Sequence, residues 1–304
     1  MSISVVTSVY NAEEYLGTCI DSVIEQLKDD DEWIVIDDAS TDKSQTILSN
    51  YKKLHVFTNQ ENLKLPKSLN KAIGLARKQY IARMDADDIC GPNRFKLQEV
   101  FLNKNPDVGI VGGAAWIIDE DDNPLSYYKT PSQHYRIKWK MLFSNPMIHP
   151  SVMVRAEIFK DNPYNEEYIN SQDYELWSRL MFDKSIIFAN IKMPLLEYRV
   201  HDKSSTATKD LGKKKLSLKI SLNNIKRYIE PKKVDIDIYS RFRLGEKISL
   251  TELLLLDIFY LKCFANFVNT EKLSLVKRLI LFIDLLRSYK FSTKEYLKKL
   301  FGRK

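Results

Sequence analysis

Tyr80-Ile81-Ala82-Arg83-Met84-Asp85-Ala86-Asp87-Asp88-Ile89 passes from residues with the character of a buried strand straight into three carboxylates within four positions. A strand end is rigid, and carboxylates gathered there repel one another unless a cation offsets them. Mg²⁺ and Mn²⁺ are hard ions that take oxygen ligands, usually one or two carboxylates together with substrate phosphates. An acidic turn capping the next helix would use the same residue types, so the stretch alone leaves both readings open.

Outward from this stretch, the first 120 residues alternate between short apolar runs and amphipathic segments. That is the rhythm of βα units around a mostly parallel sheet flanked by helices, an α/β fold. Strands are expected at 2–7, 33–36, 54–57 and in the opening stretch. Helices are expected from about Ala12, through Ile47 and Leu48, over 66–78, and after Pro92 as a first-turn residue. The run 108–114 resumes the sheet, its glycines allowing close backbone approach or a bulge. Residues 120–150 are less regular, with a helix over 135–143; a strand at 151–154, a helix over 174–182 and a strand over 186–198 follow. Ser, Thr and Lys at 203–215 read as a mobile junction, beyond which the chain is helical and basic.

The polar clusters fall where strands end: Thr7-Ser8, Asp37-Asp38 and Asp85–Asp88. In open α/β sheets ligands bind at the carboxyl ends of strands, so the repetition favours a site. No G-x-G-x-x-G and no G-x-x-x-x-G-K-S/T occurs, so a bound pyrophosphate would depend on a metal for charge compensation.

Cys19, Cys90 and Cys263 lie far apart, which suggests neither a disulfide framework nor a zinc cluster and fits a cytoplasmic protein. No signal peptide is expected before the first strand, and no apolar run reaches the roughly 18 residues of a membrane span. The net charge of +7 hides an asymmetry: residues 203–304 carry +14 and residues 1–202 carry −7. The basic region should face something anionic. Nucleic acid is disfavoured, because the cations accompany long aliphatic helices with few exposed aromatics. A sugar-1-phosphate nucleotidyltransferase would need a glycine-rich basic loop near the N-terminus, which residues 7–14 lack.

Three motifs, Ser4-Val5-Val6-Thr7-Ser8-Val9-Tyr10-Asn11-Ala12-Glu13-Glu14-Tyr15-Leu16, Ile36-Asp37-Asp38-Ala39-Ser40-Thr41-Asp42 and Ala82-Arg83-Met84-Asp85-Ala86-Asp87-Asp88-Ile89, closely resemble glycosyltransferase family 2. The resemblance continues through Asn145-Pro146-Met147-Ile148-His149-Pro150-Ser151, Gln172-Asp173-Tyr174-Glu175-Leu176-Trp177 and Tyr198-Arg199-Val200-His201, in the family's order. It implies an inverting, nucleotide-sugar-dependent enzyme with the Rossmann-like GT-A fold. By resemblance, Thr7, Ser8 and Tyr10 line the nucleoside pocket and Asp38 accepts a hydrogen bond from the uracil ring. Asp87 binds Mn²⁺ or Mg²⁺, Asp85 meets metal or ribose, and His201 reaches back to the metal or diphosphate. Arg199 meets the diphosphate, Asp173 is the general base, and Asp88 caps the following helix or joins the cluster. Ala39 and Lys64 stand where the family often has glycine, and Gln172 where glutamate is common.

The expected organisation is a catalytic domain over 1–204 and a helical basic region over 205–304. In the latter, 250–268 and 273–289 are apolar stretches of helical length interrupted by charges. They would pack on the catalytic domain, pair in a homodimer, or lie on anionic lipid with help from Lys290, Lys294, Lys298, Lys299, Arg303 and Lys304. The reaction expected is transfer of a hexose or N-acetylhexosamine from a UDP-sugar to a glycan acceptor. A sugar on a lipid pyrophosphate at the cytoplasmic face of the inner membrane would suit that chemistry.

Overall fold

The computed structural model describes residues 2–201 and 211–300, with side chains through Arg287. It begins β1 (Ile3–Val9), α1 (Leu16–Ile24), β2 (Glu32–Asp37), α2 (Ser44–Ser49), β3 (Leu54–Thr58), α3 (Leu65–Leu75), β4 (Tyr80–Arg83), β5 (Ile89–Cys90) and α4 (Arg94–Lys104). Next come β6 (Val108–Ile118), β7 (Pro124–Tyr128), α5 (His134–Met141), β8 (Met153–Arg155), α6 (Ala156–Asp161), α7 (Gln172–Phe182) and β9 (Ile187–Arg199). Four helices close the chain: α8 (Leu211–Lys226), α9 (Lys233–Leu244), α10 (Leu250–Thr270) and α11 (Leu275–Leu300). Two compact units result, one of Met1–Lys138 with Asn145–Lys209, the other of Trp139–Ser144 with Asp210–Lys304.

The first unit is built on one sheet in the order β3-β2-β1-β4-β8-β6-β9-β5, with β7 paired to β6. The pairs β1/β2, β1/β4, β2/β3 and β6/β9 are parallel, while β8 runs antiparallel between β4 and β6. The central strands are mostly apolar because both faces are covered. Val5, Val6, Val9, Trp33, Ile34, Val35, Ile36, Tyr80, Ile81 and Ala82 are all buried. Helix α1 lays Leu16, Cys19, Ile20 and Val23 on one face at helical spacing, and Phe95 and Leu102 of α4 join the same core. Each fully buried Leu, Ile, Val or Phe contributes roughly 1.5–3 kcal/mol. Because β1, β2 and β4 are parallel, their carboxyl ends emerge on one edge and carry Tyr10, Asp38 and Asp85 with them.

Local differences from the sequence expectations have local causes. Helix α1 starts at Leu16 instead of near Ala12, because Ala12 sits in a turn whose carbonyl accepts from Tyr15 (3.1 Å) and Leu16 (3.0 Å). The strand expected at 151–154 begins only at Met153, after a 3₁₀ turn His149–Ser151 that contains Pro150. Residues 120–150 hide a β6–β7 hairpin. Its turn is an Asx motif in which the Asp119 carboxylate accepts from Asp121 (3.0 Å) and Asn123 (2.8 Å), with Asp122 at φ +66°. Gly112 and Gly113 serve both expected purposes: a Cβ there would strike Asn190 and Leu195, and the β6/β9 register shifts after Gly113.

In the second unit, Trp139–Ser144 is gripped by the C-terminal helices. The Asn224 amide donates to Met141 O (2.9 Å), Ser221 Oγ donates to Leu142 O (2.7 Å), and Arg243 reaches Phe143 O. Trp139 packs on Phe143, Phe264 and Phe267. Helix α9 ends on Gly245 at φ +85°, and α10 starts in a capping box of Ser249 and Glu252. The expected boundary at 204/205 and the junction as far as residue 210 lie outside the described residues; from Leu211 the chain is helical.

Candidate active site

Strand β4 ends at Arg83, and the three acids follow in the turn to β5. Oxygens of Asp85, Asp87 and Asp88 lie within 4.8 Å of one another. Asp85 pairs with the fully buried Arg83 guanidinium, whose Nε and Nη1 have no partner among the described residues. Asp87 Oδ2 lies 3.1 Å from His201 Nε2. Asp88 is buried, its Oδ1 accepting the Arg199 backbone N–H at 2.8 Å and its Oδ2 unpartnered among the described residues. Burial, then repulsion from Asp85, pushes the Asp87 carboxyl up against the opposing pull of His201. Burial, then Asp87 and Asp85, pushes Asp88 well up. A crowded set of hard oxygen donors with one buried oxygen left over is the chemistry that suits Mn²⁺ or Mg²⁺.

Two expectations change here. Asp88 does not cap the next helix, since α4 begins at Arg94 behind Asn93; it anchors Arg199 instead. Arg199, expected at the diphosphate, is buried and its N–H groups are spent inside the protein. Nε donates to Asp87 O (2.8 Å), Nη1 to Asp119 O (3.1 Å) and Glu120 O (3.3 Å), and Nη2 pairs with Asp122 at 2.5 Å. Its guanidinium lies 4.4 Å from the centre of the Tyr15 ring. From the end of β9 it braces the acidic turn and the β6–β7 hairpin together. Sequence reasoning also missed the support beneath: buried Arg94 donates to Arg83 O (2.6 Å), and Gln98 donates to Val111 O (3.0 Å) and Ser151 O (2.8 Å). The one signal was a charged residue, Arg83, inside an apolar strand.

At the nucleoside end, Asp38 is buried and its Oδ1 is taken by the Asn59 amide (2.7 Å) and the Leu63 N–H (2.9 Å). Asp37 holds the turn, accepting from Ser40 N–H (3.3 Å) and Gln45 (2.7 Å). Thr7 is fully buried and its hydroxyl accepts from Trp33 Nε1 at 3.0 Å, so it secures β1 to β2, while Ser8 is half-buried and Tyr10 exposed. The loops after β1 and β2 are laced together. Asn11 Oδ1 accepts from Thr41 (2.8 Å), Ser44 Oγ from Ala12 (2.9 Å), Asp42 from Glu13 (2.9 Å) and Glu13 from Lys43 (2.9 Å).

Asp173 stands in the first turn of α7, behind Ser171 at φ +61°. Its Oδ2 accepts from the Asn145 amide at 2.7 Å and its Oδ1 from the Tyr174 N–H at 2.8 Å. Asn145 is itself fixed, its Oδ1 accepting from Met147 N–H at 3.0 Å. Buried Tyr164 shares a 2.7 Å hydrogen bond with His149, and burial pushes its hydroxyl up, with Arg83 pulling it down and Asp173 and Asp85 pushing it further up.

A curled, mostly parallel sheet with an acidic turn at its carboxyl edge defines the GT-A class of nucleotide-sugar fold, and solved GT-A structures superpose on it. The UDP-GlcNAc complex of S. aureus TarS residues 1–349 matches with a TM-score of 0.58 at 16% identity, over 99% of this chain and 92% of that one. The mannosyltransferase PcManGT of Pyrobaculum calidifontis, in complex with GDP-Man and Mn²⁺, gives 0.58 at 15% identity over 99% and 88%. In sequence, the profile of "Glycosyl transferase family 2" matches residues 4–162. An uncharacterized glycosyltransferase of Haemophilus influenzae is 31% identical over 80% of this chain and 79% of its own. The O-antigen biosynthesis glycosyltransferase WbnJ of Escherichia coli is 32% identical over 67% and 81%. The chain belongs to glycosyltransferase family 2.

Proposed function

We propose that this glycosyltransferase moves a hexose or N-acetylhexosamine, with inversion, from a UDP-sugar to a hydroxyl of a glycan acceptor in surface-polysaccharide synthesis. The observation that carries the reading is the Asp85–Asp87–Asp88 cluster, whose oxygens lie within 4.8 Å of one another in the turn after β4. Relatives named for O-antigen and amylovoran synthesis support the polysaccharide context, and an acceptor carried on a lipid pyrophosphate at the cytoplasmic face of a membrane fits it.

Asp87, with Asp85 and His201 beside it, would hold Mn²⁺ or Mg²⁺, which would supply positive charge for the departing diphosphate. Asp85, turned by its Arg83 pair, is an acceptor for a ribose hydroxyl or a metal ligand. Asp38 Oδ2 takes the uracil N–H, while its Oδ1 holds the loop through Asn59 and Leu63. Ser8 and Tyr10 line the nucleoside side, with Thr7 behind them. Asp173, aimed by Asn145, takes the acceptor hydroxyl's proton as that oxygen attacks the anomeric carbon. The bond to the diphosphate breaks on the opposite face, so an α-linked donor yields a β-linkage without a covalent enzyme intermediate. Arg199 is a positioning residue for the acidic turn.

A UDP-release screen over nucleotide sugars, with and without Mn²⁺, tests this reading. Metal-dependent release from a UDP-hexose or UDP-N-acetylhexosamine is expected. Release that ignores the metal, or none from any donor, contradicts it.

A further inference from the structure

We infer that the outward faces of α10 and α11 form a surface that lies on an anionic lipid bilayer. The inference stands on the second unit alone, independent of the reaction proposed above.

A water-facing helix face is normally polar. On α10 the buried face is Leu253, Leu256, Phe259, Cys263 and Phe267. The opposite face is also apolar: Leu250, Leu254, Ile258 and Leu261 follow one another at steps of three or four, and Leu254 is 63% exposed. On α11, Leu281 is buried, while Leu275, Leu279, Ile283 and Leu286 repeat that spacing on the exposed side, Leu275 at 82%. The helices are antiparallel neighbours: Asn269 meets Arg278 and Phe264 meets Phe282, so partners rise on one helix as they fall on the other. At about 100° per residue Phe264 and Phe282 each lie roughly a quarter turn, in the same sense, from the buried face of their helix, which leaves the two exposed stripes on one side. Together they make a row of exposed apolar side chains, and contiguous exposed apolar patches mark interaction sites.

Charge decides the occupant. Residues 203–304 carry +14; within 250–287 five Lys/Arg stand against Glu252, Asp257, Glu271 and Asp284, with Lys262, Lys272, Lys277 and Arg287 exposed on or next to these helices, so the excess lies in the flanking segments. The remaining turns of α11 add Lys290, Lys294, Lys298 and Lys299 in sequence. A second copy would bring another region of +14 to the face, whereas anionic headgroups offset that charge. Among the described residues no helix is long and apolar enough to cross a membrane, so the helices lie in the interface plane.

Flotation of the full chain with phosphatidylglycerol/phosphatidylcholine vesicles, against phosphatidylcholine alone, tests the surface. The wild type should float with the anionic vesicles and lose most of that binding on phosphatidylcholine. The variant L254S/I258S/L279S/I283S should bind about tenfold or more weakly with an unchanged far-UV spectrum. K262E/K272E, which touches no packed side chain, should weaken binding to the anionic vesicles alone. A wild type that stays unbound at low salt overturns the inference. So does a wild type that elutes as a dimer which the serine variant converts to monomer, since a second copy then covers the face.

Discussion

Asp173, the proposed base, is held by Asn145, 28 positions earlier, and a base displaced by about 1 Å can lose on the order of 100-fold in rate. Asn145→Ala is therefore expected to lower kcat by about 10- to 100-fold with the donor KM little changed, read from UDP-release kinetics. A purely structural role would move stability or KM instead. The Asn145–Ser151 motif was visible in the sequence as a resemblance, but its purpose was not, because no local pattern reports a partner so far along the chain. The glycine replacements have a similar lesson. Ala39 and Lys64 adopt φ +61° and +73°, and at ψ 160° Lys64 occupies a region that is essentially glycine's own. What looks in sequence like a minor change of turn residue is thus a backbone under strain beside the Asp38 loop. Lys64→Gly should raise stability by about 1 kcal/mol in urea unfolding, the relieved strain exceeding the entropy glycine adds to the unfolded chain.

At the scale of elements, β9 controls the turn after β4 through Arg199. Replacing this arginine with lysine removes the fork that ties Asp87 O, Asp119 O and Glu120 O and leaves a buried charge poorly matched. A loss of about 3 kcal/mol in urea unfolding is expected, with weaker metal binding. The acids have their own energetics. Burial and mutual repulsion raise Asp87 and Asp88, so in EDTA-treated protein their ionised forms oppose folding at neutral pH. The group's stabilising effect is present below the ordinary carboxylate range and is lost as pH rises through the raised folded value. Asp88→Asn, which keeps an acceptor for the Arg199 N–H, should raise the metal-free Tm at pH 7, with the gain shrinking as pH falls through that window. Strand ends and their acids were legible because apolar runs ended in polar clusters. The β6–β7 hairpin was not, since Asp119 and Asn123 build its turn from side-chain hydrogen bonds that no hydrophobic period reveals.

For the whole molecule, the α/β class followed from the alternation of buried strands and amphipathic helices, and the charge asymmetry already separated the chain's two ends. The inclusion of Trp139–Ser144 with the C-terminal helices was not readable, because it depends on Ser221, Asn224 and Arg243, about 80 to 100 residues away. The central claim is a division of labour between two proposed roles: Asp87 for metal-dependent donor binding, Asp173 for proton removal. Calorimetry of UDP with Mn²⁺, paired with UDP-release rates, on wild type, Asp87→Ala and Asp173→Asn tests it most directly. Asp87→Ala should lose metal-dependent UDP binding. Asp173→Asn should bind UDP and Mn²⁺ like the wild type yet turn over about 100- to 10,000-fold more slowly. Near-normal turnover by Asp173→Asn, or metal-dependent binding that survives in Asp87→Ala, would contradict the account.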